Sequence, residues 1–447
     1  MRAVDSAPIR VLITCEHASA RFGGEASLPL HYFRVLRNRG VDVSLVTHAR
    51  TRPELSELFP DEQRIHYVED TVLHRLLWRI GTKLPAQIAY LTTGFVSRLS
   101  TQLAQRAIVR QLVATKGADV IHQPMPVSPR EPSMMYGFGV PVVMGPMNGG
   151  MEYPPGFRRR RGTLERVFLD LGRAGATALN WLFPGKRHAS VLLVANARTR
   201  SALPKGVCSR VIEMVENGVD LTLWRPMPEI ESSCADKTEL DAGSPLPTTF
   251  IFMGRLVGWK AVDSLLLAFK VASAQATMRL LVIGDGVERE PLRARATELG
   301  IAAAAGIDLL GVHFLGFLPQ RRCAEILAKA DCLVLPSLLE CGGAVVLEAM
   351  SLGKPVIATA WGGPLDYLDE SCGVLVVPSG PEAFVQGLAN AMVRVARSAR
   401  ERDEMGRRGR AKIVRDFDWE VKVDRVMNVY LEAIGRTQRA PRAGMKS

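Results

Sequence analysis

Short apolar runs, each followed by a helical stretch, constrain the fold of this chain more than any other feature. In the second half the runs are uniformly aliphatic or aromatic, as in strands that are covered on both faces. Strands that alternate with helices in this way form a parallel sheet between two layers of helices. We therefore predict a doubly wound α/β domain with strands at Thr249–Met253, Arg279–Ile283, Val312–Leu315, Cys332–Leu335, Pro355–Ala358 and Val374–Val377, and with the first helices at Val262–Gln275 and Glu288–Leu299.

The first half repeats this alternation less regularly. Between the halves, residues 226–248 are rich in proline, serine and acidic residues and have no apolar periodicity, which is typical of a linker or surface loop. The predicted domains are thus residues 1–225 and 249–416. Their ligands should bind beyond the carboxyl ends of the strands, and two such domains facing each other would enclose a cleft. Strands of the first domain are predicted at Arg10–Thr14, Val41–Thr47, Val120–His122, Pro141–Gly145 and Ser190–Val194.

Composition restricts the class of protein. The 447 residues are 47% hydrophobic and 23% charged, as in globular chains with substantial cores. No apolar window is long enough to cross a bilayer, and the first ten residues do not resemble a secretory signal, so we expect a cytoplasmic protein. Seven scattered cysteines without a C-x-x-C pair indicate reduced thiols, and we expect no metal site. The net charge of +12 favours an acidic partner. The sequence contains no aromatic-basic motif of the kind that binds nucleic acids, so we expect no nucleic-acid partner.

The loop Met253-Gly254-Arg255-Leu256-Val257-Gly258-Trp259-Lys260 is the first candidate site. Glycine lets the backbone approach a ligand, and two cations near a helix start can bind a diphosphate. The alternative is a solvated turn. The loop lacks P-loop spacing, and Gly284-Asp285-Gly286 lacks the third glycine of a dinucleotide fingerprint, since Arg289 stands there. Both departures argue against an ATPase and against a nicotinamide enzyme.

Two glutamates form the second candidate site. Glu340 follows an apolar strand, and Glu348 lies two turns into the helix that Gly342-Gly343 opens. Carboxylates at this separation can hold hydroxyl groups at different places on one ligand, such as a sugar and a ribose. An ordinary acid at a helix start also explains Glu340. It does not explain Glu348, whose neighbours are apolar and whose carboxylate needs a partner.

In these residues and the motifs around them, the chain resembles the retaining, nucleotide-sugar-dependent glycosyltransferases of family 4, which have the GT-B fold of two Rossmann-like domains. The resemblance is carried by the E-x7-E pair within SLLECGGAVVLEAMSLGKPVIATAWGGPLDYL and by FMGRLVGWK, LVIGDGVER and VHFLGFLP. The first half contributes Gly23-Gly24 and the segment ENGVD from Glu216 to Asp220. Near the end, Phe417-Asp418-Trp419 precedes a helix that in this family returns to the first domain, so residues 417–447 would be that helix and a basic tail.

The resemblance implies roles for these residues. Arg255 and Lys260 would neutralise the donor diphosphate without a metal ion, Glu348 would bind the ribose, and Glu340 would face the donor sugar at the catalytic centre. Fixed cations beside a departing phosphate are physically suited to this task. Backbone groups of the glycine-containing loops would contact the base and the phosphates at Gly23, Gly24, Gly254, Gly284, Gly316, Phe317, Leu318, Gly342 and Gly343.

Three positions depart from the family pattern. Cys341-Gly342 follows Glu340 where the family usually has Phe-Gly, and Asp366 replaces a usual glutamate after Gly362-Gly363. Because of these changes, the sequence does not determine which nucleotide sugar is the donor. In the first domain the family's His-x-His is reduced to His122, which is either a catalytic residue near the sugar or a structural histidine at a strand end.

The function expected from the resemblance is the transfer of a sugar, with retention at the anomeric carbon, from a nucleotide-sugar donor to a glycan or lipid-linked acceptor in cell-surface polysaccharide or glycoconjugate synthesis. The donor is a co-substrate, and no cofactor is expected. Basic segments at Arg158–Arg161 and Leu73–Leu84 are either solvated helix faces or contacts with an anionic membrane on its inner face. The alternatives are a phosphorylase or sugar-nucleotide epimerase, and a catalytically silent sugar-nucleotide-binding or scaffold protein of the same fold.

Overall fold

The computed structural model describes residues 9–158, 175–226, 247–303 and 310–439 of the chain. It divides into two compact units. The first comprises the described residues of Met1–Gly150, Gly162–Glu216 and Trp419–Ser447, and the second comprises those of Met151–Arg161 and Asn217–Asp418. Each unit is built around its own parallel sheet.

The first unit has a seven-stranded parallel sheet in the order β3-β2-β1-β4-β5-β6-β7. The chain builds outward from β1 in one direction and then restarts at β4 on the other side of β1, so the topological switch point lies between these two strands. The strands are β1 (Arg10–Thr14), β2 (Asp42–His48), β3 (Ile65–Val68), β4 (Val120–Gln123), β5 (Val142–Met147), β6 (Val191–Val194) and β7 (Val211–Glu213).

Alternating side chains of this sheet enter two separate cores, because successive residues of a strand point to opposite faces. In β1, Val11 and Ile13 join one core, whereas Leu12 joins the other. The first core packs the sheet against helices Gly24–Asn38 and Trp419–Arg439. The second core takes up Val109 and Leu112 of the long helix Thr93–Thr115. The apolar runs therefore reflect burial on both faces of the sheet.

The remaining helical segments of the first unit are mostly short, and one of them, residues 175–182, follows a stretch outside the described residues. The terminal helix Trp419–Arg439 contributes Trp419, Val423, Val426 and Tyr430 to the first core. The other helices are Arg52–Leu58, Val72–Gly81, Ala86–Leu91, Gly185–His188 and Ala197–Ser201, with a 3-10 turn at Ala49–Thr51.

The second unit has a six-stranded parallel sheet in the order β10-β9-β8-β11-β12-β13, and its switch point lies between β8 and β11. The strands are β8 (Thr248–Met253), β9 (Met278–Ile283), β10 (Gly311–Gly316), β11 (Cys332–Leu335), β12 (Val356–Thr359) and β13 (Gly373–Val376). The helices are Val262–Ser273, Arg289–Glu298, Gln320–Lys329, Ala344–Ser351, Pro364–Tyr367, Pro381–Arg397 and Ala399–Asp416, with 3-10 turns at Pro155–Phe157 and Gly258–Lys260.

Every strand predicted from the sequence is present, with ends that move by no more than two residues. The doubly wound α/β class is thereby confirmed for both units. Strands β3 and β7 were not predicted. They are the two edge strands, only three or four residues long and only partly buried, so their sequences IHYV and VIE carry little apolar signal.

The units divide at different residues from the predicted domains. Residues 217–225, predicted in the first domain, lie in the second unit, because Asn217 Nδ2 donates to the Tyr367 hydroxyl and Val219 forms a bridge with Asp418. Residues 151–158 also lie in the second unit. The predicted linker falls outside the described residues at 227–246, as do Arg159–Arg161 of the basic run and the predicted basic tail from residue 440 onward.

Candidate functional site

The loops that follow β8, β9, β10 and β11 are joined by backbone hydrogen bonds at the carboxyl edge of the second sheet. Gly254 N–H donates to Ile283 O at 3.0 Å, and Gly284 N–H donates to Gly316 O at 2.8 Å. Across the switch point, Leu338 N–H donates to Trp259 O at 2.8 Å. The loops that carry the predicted donor-site residues thus form one connected surface, at the edge where doubly wound sheets bind ligands.

Gly284 is required by this close packing. Its φ is +136°, and a Cβ placed on it would lie 1.9 Å from Gly254 O. No side chain fits at that distance, and an L-residue is strained at that φ. The glycine of GDG therefore allows the ends of β8 and β9 to meet, and this structural requirement explains it without a ligand.

Lys260 and Glu340 form an ion pair at the switch point between β8 and β11. Lys260 closes the 3-10 turn Gly258–Lys260 after β8, and Glu340 lies in the loop after β11. The two side chains are only 14% and 11% exposed, so the pair is largely shielded from water. A mostly buried ammonium and carboxylate fix each other in place, and together they offer donors and acceptors to a polar ligand.

Arg255 is placed differently from Lys260. It is exposed, and its guanidinium lies 5.9 Å from the centre of the Trp259 indole ring. A further cation at this edge, Arg289, was not predicted as a site residue. It begins helix Arg289–Glu298, pairs with Asp285 at 3.5 Å and lies beside Gly316. Its place in the sequence, where a third glycine would complete a dinucleotide motif, was the signal that could have identified it.

Glu348 lies inside helix Ala344–Ser351 and not at the sheet edge itself. Its surroundings are apolar, and the resulting desolvation raises the pKa of its carboxyl to about 7, against a smaller opposing effect of a hydrogen bond with Gln320. Gln320 begins the helix after β10, so this carboxyl lies close to the loop Gly316-Phe317-Leu318. The structure thus separates Glu348 from Glu340 and brings it to the neighbouring loop.

The loop after β10 exposes an aromatic ring. Phe317 is 78% exposed, whereas Gly316 is buried, with φ +71°, and Leu318 is partly buried. On the other side of the switch point, Gly342 is buried, and Gly343 caps helix Ala344–Ser351 at φ +78°. Gly343 has no side chain that could accept from the first N–H groups of that helix, and such groups attract anions.

Residues 151–158 lie against the loop after β12. Trp361 Nε1 donates to Glu152 O at 2.7 Å, and a Cβ on Gly362 would come within 2.7 Å of the Met151 side chain. Gly363 N–H in turn donates to Glu340 O at 2.7 Å. This segment, which the sequence did not connect with the donor site, therefore supports the loop that carries Glu340.

The predicted site residues of the first unit fall into two kinds. Gly23 and Gly24 are exposed at the start of helix Gly24–Asn38, in the loop after β1, and Gly23 has φ +103° with open space around it. Their position suits close approach of a ligand to the backbone. Nothing in the loop besides this geometry indicates phosphate.

The geometry favours the structural alternative for His122. The residue is fully buried, its Nε2 lies 2.7 Å from Gly145 O, and its Nδ1 lies 2.6 Å from the Tyr430 hydroxyl. Since a carbonyl only accepts, Nε2 carries the proton and Nδ1 accepts from Tyr430. Burial lowers the pKa of His122 to about 4, so the ring stays neutral. With both nitrogens occupied inside the core, His122 serves to join β4, β5 and the terminal helix.

Comparison with known proteins identifies the second unit. Residues 237–412 match the family model described as glycosyl transferases group 1. This part of the chain is thus similar to the members of that family. The group 1 glycosyltransferase region contains Arg255, Lys260, Arg289, Glu340 and Glu348, and the resemblance drawn from the motifs is confirmed.

Relatives of known name match about half of the chain. D-inositol 3-phosphate glycosyltransferase of Segniliparus rotundus is 32% identical over 236 residues, 52% of this chain and 49% of the relative. A GDP-mannose-dependent mannosyltransferase of Corynebacterium glutamicum, named for a monoacylated phosphatidylinositol monomannoside, is 29% identical over 226 residues, 48% of this chain and 55% of the relative. The chain thus spans about half the length of these curated relatives.

A solved structure matches almost the whole chain. HepE of Anabaena, determined in complex with UDP, is 16% identical, covers 95% of this chain and 100% of its own, and has a TM-score of 0.61. The likeness shows a shared fold, and the predicted GT-B class of two Rossmann-like domains is confirmed. Among the helices of the described residues, none has both the length and the apolar character needed to cross a membrane.

Proposed function

We propose that this protein is a retaining glycosyltransferase that moves a sugar from a nucleotide-sugar donor to a hydroxyl group of a glycan or lipid-linked acceptor. One observation carries the proposal: the Lys260–Glu340 pair lies at the switch point of a sheet that is similar to the group 1 glycosyltransferase family. A doubly wound sheet binds its ligand at this point, and the ligand would meet one cation and one carboxylate there.

The cations suit the chemistry of the departing group. As the bond between the anomeric carbon and the diphosphate breaks, negative charge grows on the phosphate oxygen. Lys260 would stabilise that charge with a fixed ammonium, together with Arg255 in the same loop and Arg289 in a neighbouring loop. Fixed cations stabilise such a charge most where water is excluded. This arrangement would do without a metal ion or another cofactor, with the nucleotide sugar as a co-substrate.

Retention is proposed to occur on one face of the sugar. The acceptor oxygen bonds to the anomeric carbon on the face that the diphosphate leaves, and the acceptor's proton passes to the departing phosphate oxygen. The product then keeps the α configuration of the donor. Glu340 would hold hydroxyls of the sugar, and its contact with Lys260 links sugar binding to the position of the cation.

The nucleotide would extend toward β10. Glu348, next to Gln320, would accept hydrogen bonds from the ribose, while the exposed Phe317 ring and its loop would contact the base. The structure of the Anabaena neighbour with UDP-glucose and the GDP-mannose-dependent relative support a nucleotide-sugar donor, and they differ in the base. Both UDP- and GDP-sugars are therefore the donors to try first.

The acceptor is proposed to belong to cell-surface polysaccharide or glycoconjugate synthesis. One structural neighbour, WaaG, is a glycosyltransferase involved in lipopolysaccharide biosynthesis, and the mannosyltransferase relative is named for a phosphatidylinositol-linked acceptor. We place the reaction in the cytoplasm, where nucleotide sugars are substrates, with lipid-linked acceptors reached at the inner face of the membrane.

Nucleotide release from UDP-, GDP- and ADP-sugars, with and without glycan and lipid-linked acceptors, tests the proposal. We expect one donor to be turned over, and Lys260→Ala and Glu340→Gln each to lower kcat/KM by at least about 100-fold, the scale of losing one transition-state contact. Lys270→Ala and Glu370→Gln are matched controls, because both side chains are exposed residues of the same unit outside these loops.

Two outcomes would count against the proposal. Binding of a sugar nucleotide without turnover in any donor and acceptor pair would support the silent binding protein instead. Equal losses of kcat/KM in the Lys260→Ala variant and the Lys270→Ala control would show that the Lys260–Glu340 pair has no role in the reaction. An NMR assignment of the product's anomeric configuration separates retention from inversion.

A further inference from the structure

The segment between Asp70 and Asp119 of the first unit contains no acidic residue, although the chain has 45 Asp and Glu among 447 residues. About five acids would be expected in these 48 positions at the average frequency of the chain. Seven Lys and Arg residues are present instead: Arg75, Arg79, Lys83, Arg98, Arg106, Arg110 and Lys116. The segment therefore carries a uniformly positive formal charge.

Helix Val72–Gly81 within this segment leaves an apolar face in contact with water. Val72, Leu76 and Ile80 recur every four residues and thus share one side of the helix, and they are 72%, 52% and 45% exposed. The opposite side holds the helix to the protein, where His74 is buried with its Nε2 3.1 Å from Thr101 Oγ1. The apolar side therefore faces away from the unit that anchors the helix.

Unpaired cations flank this apolar face. Arg75 and Arg79 lie one turn apart beside it, Lys83 follows the helix, and none of the three makes an ion pair or a side-chain hydrogen bond with any described residue. By contrast, Arg98 in the long helix Thr93–Thr115 pairs with Glu131 at 2.6 Å. Arg75, Arg79 and Lys83 thus keep free charges beside the apolar face of this helix.

The next helix continues the exposed surface. In Ala86–Leu91, Ile88, Tyr90 and Leu91 are all at least half exposed, and this helix packs beside Val72–Gly81 on the long helix Thr93–Thr115. Trp78 is 69% exposed. Aromatic and aliphatic side chains interspersed with Arg and Lys, in a segment that itself contains no acidic residue, are the composition of helices that lie in the plane of an anionic bilayer.

We propose that helices Val72–Gly81 and Ala86–Leu91 form a docking surface for an anionic lipid bilayer, with the apolar side chains between the acyl chains and Arg75, Arg79 and Lys83 at the headgroups. Charge selects this occupant, because a second copy of the chain would bring the same cations face to face. The surface lies on the first unit, so the inference does not depend on the proposed transferase activity of the second.

Flotation of the full chain with vesicles, in the absence of any sugar nucleotide, tests the proposal. We expect binding to vesicles that contain about one third phosphatidylglycerol and much weaker binding to pure phosphatidylcholine. Arg75→Gln/Arg79→Gln should lower partitioning roughly 30-fold, since each basic residue near such a surface contributes roughly fivefold. Higher salt should weaken the wild type more than this variant.

Leu76→Glu/Ile80→Glu tests the apolar part and should abolish flotation. Leu431→Glu is its control, because Leu431 is 57% exposed on helix Trp419–Arg439 of the same unit. Quenching of tryptophan fluorescence by brominated lipid, lost in Trp78→Phe, reports insertion without a disruptive substitution. The proposal is overturned if the wild type does not float, if these variants float as well as the Leu431→Glu control, or if light scattering shows a dimer that Leu76→Glu/Ile80→Glu dissociates without any lipid binding.

Discussion

At the scale of single residues, the Lys260–Glu340 contact is the arrangement on which the donor site depends. Each side chain is largely buried, so each neutralises a charge that would otherwise be costly. Their separation of 80 residues in the chain means that no local pattern could reveal the contact. The sequence predicted both residues through their motifs, and the tertiary structure joined them.

Lys260→Met should lower the free energy of unfolding by roughly 3 kcal/mol, because it leaves the Glu340 carboxylate buried and unpaired. The double variant Lys260→Met/Glu340→Leu should recover most of that loss, since it removes both charges. Urea denaturation of the wild type, both single variants and the double variant gives the coupling energy. Additive effects of the single variants would show that the two side chains do not interact in solution.

Glu348 should make stability depend on pH in a defined direction. Its pKa is raised from 4.5 to about 7, so the folded protein retains a proton that the unfolded chain has released. Stability therefore falls as pH rises from about 4.5 to about 7 and is flat beyond. Glu348→Gln should stabilise the protein by on the order of 2 kcal/mol at pH 8 and by little at pH 4.

Melting temperatures of the wild type and Glu348→Gln across this pH range test the sign. A constant difference between the two proteins at all pH values would contradict the raised pKa. In the proposed enzyme, the ionised carboxylate accepts from the ribose, so we also expect donor affinity in the wild type to improve as pH rises through 7 and to become independent of this group in Glu348→Gln.

At the scale of elements, the glycines of the second sheet edge determine how closely the loops approach. Gly284→Ala should destabilise the protein by at least about 2 kcal/mol, because its Cβ would overlap Gly254 O and its φ of +136° is strained for alanine. Gly435→Ala is the control. It lies in helix Trp419–Arg439 with no atom near its Cβ, and alanine should stabilise it by about 0.5–1 kcal/mol.

Thermal unfolding of both glycine variants shows whether Gly284 is required for the packing of the strand ends or for ligand binding. If Gly284→Ala melts like the wild type but loses nucleotide binding, the glycine serves the ligand rather than the strand ends. The sequence also predicted correctly that Glu340 lies in a loop after a strand and that Glu348 lies inside the following helix. Only the packing of helix Gln320–Lys329 directs Glu348 toward the loop after β10.

At the scale of the molecule, the last helix follows the second unit in the chain but completes the core of the first unit. Val426 is fully buried in the core that contains β1 and helix Gly24–Asn38. Val426→Asp should destabilise the first unit by at least about 3 kcal/mol because it buries an unpaired charge. Leu431→Asp, on the exposed side of the same helix, should change stability by less than about 0.5 kcal/mol.

Hydrogen exchange resolves the two units in this experiment. In Val426→Asp we expect protection to fall in β1, β2 and β4, while β8, β9 and β11 keep theirs. Equal loss of protection in both sheets would show that the two units unfold together and would contradict this expectation.

The sequence by itself determined all strands except the two short edge strands, the doubly wound class, the family resemblance of the second unit and the residues of its sheet-edge loops, because these depend on local periodicity and short motifs. The tertiary structure decided which of those residues meet. It paired Lys260 with Glu340, turned Glu348 to Gln320 and enclosed His122 between Gly145 and Tyr430. Such contacts join residues far apart in the chain, and only the packing of whole elements brings them within reach.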